Sequence, residues 1–292
     1  MDVKVVMDVT CGNRLFTKRI MRHIVYMHRL AYAILGLILL ASCNNIENKK
    51  PKVVDELRFQ TIVKDTTVRL LPEDDAPTLN IHLSMPFVSD TNSDAINEAI
   101  IHGRFLTPDY MGLMSQSIST QQAVDSFITQ YAKDYQRDYA PLYRNDRLNK
   151  SSYEITYECE AKIESHRKGI VVYIARNTIS GGGAHDVTTT IAKNLETKTG
   201  KTITLEDIFS EGYEQPLTDL IVKKLCEQQK VQKLAEIQKI GFFNGIEPYV
   251  TDNFIWDEDK VTFIYTDSEV APHEMGEQRV SIPEEELKTL LK

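Results

Sequence analysis

The chain has 292 residues, 42% of them hydrophobic and 26% charged, with a formal net charge of -8. That length carries one sizeable core or two small ones, and the balance excludes disordered, collagen-like and coiled-coil classes. The acidic excess argues against nucleic acid and anionic lipid headgroups as partners.

In chain order, Met27-His28-Arg29 is a short basic start and residues 30–41 are almost wholly apolar. A helix needs ~20 residues to span a bilayer, so this shorter run predicts a secretory signal. Leu40-Ala41-Ser42-Cys43 matches a lipobox, which places a lipid on Cys43, and the polar residues 43–55 follow as a tether. Residues 1–42 are expected to be removed, with Met21 or Met27 as alternative starts. Without them 28 basic and 40 acidic residues remain, a net charge of -12. The expected address is the bacterial cell envelope, with membrane attachment through lipid on Cys43, at the periplasmic face or the cell surface.

Two α+β regions are expected after the tether, 56–150 and 151–292. Residues 56–71 alternate partially and read as a strand. Leu79, Ile81, Leu83 and Met85 alternate with Asn80, His82 and Ser84, a half-buried strand ending at Pro86. Asn92 or Ser93 caps a helix bearing Ile96, Ala99 and Ile100. A second helix opens on the capping box Ser119-x-x-Gln122 and lines up Val124, Phe127, Ile128, Tyr131 and Tyr135, a spacing that reads as core.

Residues 152–167 put Tyr153, Ile155, Tyr157, Cys159, Ala161 and Ile163 on one strand face, and Glu158, Glu160, Lys162, Glu164 and His166 on the other. Strands are expected at 170–179 and 186–195, then a hairpin over 194–201 with Gly200 at positive φ. One helix is expected from Pro216 to about Gln238, its stripe of Leu217, Leu220, Ile221 and Leu225 leaving Cys226 away from the core. Cys159 and Cys226 are the one pair available for a disulfide, and this periodicity argues against it. Strands at 254–256, 261–265 and 279–282 precede a terminal helix opened by Pro283. Elements come in blocks without βαβ alternation, which predicts an α+β fold of mainly antiparallel sheets packed with helices.

Three stretches carry a resemblance. They are Gly181-Gly182-Gly183-Ala184-His185, residues 194–201 (NLETKTGK) with 205–209 (LEDIF), and residues 254–283, containing Glu269-Val270-Ala271-Pro272-His273 and Val280-Ser281-Ile282-Pro283. In these the C-terminal half, from about residue 150, resembles the extracellular domain of the RsiV/PdaC-like family. The resemblance implies an RsiV-like fold and a partner such as a lysozyme-type protein or a peptidoglycan fragment. Ser268 and His273 depart from the family's aromatic residues at those positions, which puts the identity of the partner in question.

Candidate contact residues lie in two places. Gly182, Gly183 and His185 belong to the glycine turn, where positive φ and close backbone approach are available. Glu269, Pro272 and His273 lie in a loop between strands, where binding residues concentrate. G-x-S-x-G, H-E-x-x-H, P-loop, G-x-G-x-x-G and metal-spaced cysteine patterns are absent from the sequence. No catalytic residue, metal or cofactor is therefore expected. Three functions stay open: a non-catalytic binding lipoprotein, an envelope hydrolase or metal-dependent enzyme using His185, Asp186 and nearby carboxylates, and a structural or assembly partner.

Overall fold

The computed structural model describes residues 57–90, 94–112, 118–182 and 184–292. The expected signal, lipobox and tether lie outside the described residues, as do the caps Asn92 and Ser93 and the turn residue Gly183. No helix among the described residues is long and apolar enough to cross a membrane.

Six strands form one sheet in sequence order: β1 (Phe59–Arg69), β2 (Thr78–Val88), β3 (Ile155–Arg167), β4 (Ile170–Gly181), β5 (Ala184–Glu196) and β6 (Thr202–Ile203). Every pairing in it is antiparallel except β2 with β3. That exception follows from the chain between them, helices α1 (Asp94–Ile101) and α2 (Thr120–Asn145), because parallel neighbours need a long crossover. Strand β2 continues through Pro86 to Val88, past the end expected from the proline. Its pairing with β3 stops at Ser84, so proline sits where the strand has a neighbour on one side only.

The helices bury Ile96, Ile100, Val124, Phe127 and Tyr135 in one core with Leu79, Ile81, Leu83, Tyr157 and Cys159 of the sheet. Each of the Ile, Val, Leu and Phe side chains among them contributes ~1.5–3 kcal/mol on burial. The capping box of α2 is formed, Gln122 N donating to Ser119 Oγ at 3.2 Å and Ser119 N to Gln122 Oε1 at 3.0 Å. It is worth ~1 kcal/mol. Tyr153 lies in a single 3-10 turn (Lys150–Tyr153) ahead of β3 rather than on the strand, and still packs against this core.

A second core begins at Leu205 and ends at Leu287. It gathers α3 (Leu205–Ile208), α4 (Glu214–Gln228), α5 (Leu234–Lys239), α6 (Glu284–Leu287) and an antiparallel sheet of β7 (Phe254–Trp256), β8 (Lys260–Tyr265) and β9 (Gln278–Pro283). The division between cores thus falls after β6, while β2 and β3, from either side of residue 150, are neighbours in one sheet. Val172, Ile174 and Ala192 of the large sheet meet Ile255 and Ile264 of the small one in a third cluster.

Two expectations are corrected in this half. The helix expected over 216–238 is two helices, because the chain turns at Lys230, whose φ is +57°, and Val231 N donates back to Cys226 O at 2.9 Å. That i to i-5 bond is a Schellman closure, and a lysine in the position glycine usually takes hides it from a reading of the sequence. Cys226 is only 4% exposed. It shares its core with Ile237 of α5, which folds back on α4 and covers the side opposite the main stripe. Both thiols are free, Cys159 in the first core and Cys226 in the second.

Candidate functional site

The glycine turn exists for geometry first. Gly181 has φ +122°, and a Cβ there would stand 2.1 Å from the carbonyl oxygen of Glu154. Gly182, at φ +66°, donates its N–H to that same oxygen at 3.2 Å. Both glycines pin the β4–β5 turn to the chain entering β3. Just beyond, His185 is exposed at the start of β5.

The loop between β8 and β9 is built around Glu269. Its Oε2 accepts from Thr266 N at 2.7 Å and Thr266 Oγ1 at 3.1 Å, and its Oε1 from Tyr249 Oη at 2.6 Å. Tyr265 Oη donates to Tyr249 O at 2.6 Å, and Phe243 N to Val270 O at 2.8 Å. Burial and the Glu269 carboxylate push the Tyr249 phenol well above its ordinary value, so it stays a neutral donor. Pro272 lies against Gly241, where a Cβ would come within 2.5 Å of its Cγ. Glu269 and Pro272 therefore hold the loop in shape.

That loop delivers His273, at the head of a 3-10 turn (His273–Met275), to the glycine turn. The rings of His185 and His273 lie 5.5 Å apart between centroids and 34° from parallel. His273 Nδ1 stands 2.8 Å from Oδ2 of Asp267, a carboxylate with 12% of its side chain exposed. A carboxylate on Nδ1 holds the proton there and leaves Nε2 outward, a tautomer inferred from the bonding. Met275 and Val187, both exposed apolar side chains, follow two residues after each histidine.

Of the six expected contact residues, the structure brings His185 and His273 together at the surface and gives Gly182, Glu269 and Pro272 supporting roles, with Gly183 outside the described residues. Strand alternation turns Asp186 away from His185, and no bond joins the two. Among the described residues no group of three His, Cys, Asp or Glu side chains is placed to hold a metal ion.

A second histidine cluster was not singled out by the sequence. On the open face of the large sheet His82 bridges two strands, Nδ1 to Asp65 Oδ1 at 2.7 Å and Nε2 to Glu160 Oε1 at 3.0 Å. The Asp65 hydrogen bond raises its pKa above the ordinary value, burial opposes this, and Glu160 adds to the rise. The sequence shows His82 only as one polar position in an alternating strand; its carboxylates come from β1 and β3.

Residues 206–285 match the family model described as a protein of unknown function (DUF3298). The span takes in nearly all of the second core and the loop carrying His273. The fold is that of a DUF3298 family member from Bacteroides fragilis, whose crystal structure is 27% identical with a TM-score of 0.70 over 81% of this chain and 94% of that one. A DUF3298 family protein from Pseudomonas aeruginosa, 18% identical, shares the fold at a TM-score of 0.56 over 82% of this chain and 96% of that one. No curated protein matches the chain.

Proposed function

We propose that the protein is an envelope lipoprotein whose folded region is a non-catalytic binding module for a basic protein of the lysozyme type, engaged through the corner where His185 meets His273. The observation that carries this reading is the convergence of the start of β5 and the β8–β9 loop, itself braced by Glu269 and Asp267, on one exposed pair of rings 5.5 Å apart. A braced loop presents its side chains with little ordering cost on binding. The lipobox ending at Cys43 supports the address, and the DUF3298 match falls where the chain resembles the RsiV/PdaC-like extracellular domain. A net charge of -12 after loss of residues 1–42 would steer a basic partner toward the surface.

Calorimetric titration of the purified protein with lysozymes and with soluble muropeptides, at two salt concentrations, tests the reading. Micromolar or tighter binding to a lysozyme is expected, weaker at high salt and at least tenfold weaker in the His185→Ala/His273→Ala double variant. Heat from muropeptides alone would replace the partner with a cell-wall glycan. Absence of heat with both would overturn the proposal.

A further inference from the structure

Helix α2 carries Tyr131, Tyr135 and Tyr139 one turn apart, the spacing that places residues in a row on one face. Only Tyr135 of the three is closed into the core, at 3% exposed, its hydroxyl donating to Tyr153 O at 2.8 Å. Tyr131 and Tyr139 are half-buried, and among the described residues their hydroxyls have no partner. With Tyr110 they line a cavity of about 180 Å³ between α2 and the segment that follows α1. The ring of Tyr110 stands edge-on to that of Tyr131 at 6.4 Å, and Tyr139 lies 5.6 Å from Tyr135.

The polar part of the wall is acidic. Asp134 and Asp138, each three residues beyond one of these tyrosines, line it, and Pro108 and Ile155 close the rest. Arg137 neutralises one of the two charges from outside the cavity, bonding Asp134 through Nη1 and gripping Asp138 with Nε and Nη2 at 2.7 and 2.9 Å. Asp134 also accepts from Tyr110 Oη and from Gln130 Nε2. Two carboxylates against one guanidinium leave an excess negative charge beside four aromatic rings.

Aromatic faces carry negative potential and hold cations, most strongly where water is excluded. Cavities for drug-sized ligands run ~300–1,000 Å³, so this smaller one suits a single head group. We propose that the tyrosine cavity is a site for an organic ammonium group, held against the rings of Tyr131 and Tyr139 with its charge balancing the net negative charge of the Asp134 and Asp138 pair. A sugar ring also stacks on tyrosine and can donate hydroxyls to a carboxylate, but being neutral it leaves the excess charge unbalanced. The group comes either from a free amine or from a lysine side chain. The site is separate from the histidine corner, so its failure leaves the binding-module reading untouched.

Titration by NMR or calorimetry with cadaverine, with N-acetyl-lysine methylamide and with neutral methyl glucoside tests it. Saturable millimolar or tighter binding is expected for the amines and none for the glucoside. Binding of cadaverine alone would mark a small-molecule site, and binding of the lysine derivative a side-chain socket; both support the proposal. Tyr139→Ala is expected to weaken amine binding at least tenfold, while Tyr139→Phe, which keeps the ring, stays within about twofold of the parent. Because Tyr139 also packs on Tyr153, the more exposed Asp138→Asn serves as a second variant, expected to weaken binding several-fold without unfolding. Glucoside binding without amine binding, no binding of any probe, or amine binding unchanged in Asp138→Asn would overturn it.

Discussion

Asn194 and Asn253 clamp the two sheets together, each exchanging amide hydrogen bonds with the backbone of residues beside the other. Asn194 Nδ2 donates to Phe254 O at 3.0 Å and its Oδ1 accepts from Trp256 N at 2.9 Å. In return Asn253 Nδ2 donates to Thr190 O at 2.6 Å and its Oδ1 accepts from Ala192 N at 2.7 Å. Each side chain plays the part of a missing strand along the other's edge, which satisfies backbone groups that burial would otherwise leave unpaired. Asn194 is 1% exposed, so water cannot stand in for it.

Removing either amide strands two backbone groups. Asn194→Ala and Asn253→Ala are each expected to lower stability by ~2–4 kcal/mol, from two lost bonds and the partners left unsatisfied. Asn194→Asp should fare no better, since a carboxylate cannot donate to Phe254 O. Urea unfolding of the single and double variants measures this. A double variant that costs as much as the two singles added together would contradict a shared clamp.

Gly181 in the glycine turn and Gly212 ahead of α4 make a contrasting pair. Gly181→Ala forces a Cβ to 2.1 Å from a backbone oxygen at φ +122° and should cost more than the ~1–3 kcal/mol of a strained backbone alone. Gly212→Ala, at φ +80° with open space around it, should cost only the ~1–2 kcal/mol of the left-handed conformation. Thermal melting of the two variants ranks them.

His82 ties stability to pH. Its folded pKa is raised above the unfolded value of ~6.5, so its ionic contribution is fully present below ~6.5 and fades as pH rises through the folded pKa. A proton NMR titration should place the His82 midpoint above that of a free histidine. Asp65→Asn should lower the midpoint more than Glu160→Gln, because the Asp65 bond is the larger cause. His82→Gln should flatten the dependence of stability on pH from ~6.5 upward.

The two buried thiols report separately on the two cores. Burial pushes Cys159 up to about 12 and raises Cys226 as well, so both should resist iodoacetamide under native conditions. Labelling across a denaturant series, read by peptide mass spectrometry, would show Cys159 and Cys226 reacting at one midpoint if the cores unfold together. The clamp between Asn194 and Asn253 predicts that single midpoint, and its loss in Asn253→Ala.

Much of the fold is legible in the sequence because it is encoded at short range. Alternation along β2 and β3, the Ser119–Gln122 cap and Gly200 at φ +70° each depend on neighbours within a few residues, and these local patterns lead to the α+β, mainly antiparallel architecture. The break at Lys230 escaped because helix closure there uses a residue with no turn signature. Cys226 was misplaced because periodicity describes one helix in isolation, and burial also depends on what folds back over it.

The candidate sites divide along the same line. The sequence by itself marked the glycine turn and the 269–273 loop as separate candidates, through residue types that favour turns and exposed loops. Only the tertiary structure set His185 against His273, gave Glu269 to the loop's own backbone, placed His82 between two carboxylates and opened a cavity along a row of tyrosines that reads as core. Ring against ring, or carboxylate against imidazole, is a distance between elements remote in the chain, and that distance is decided by how whole sheets and helices pack.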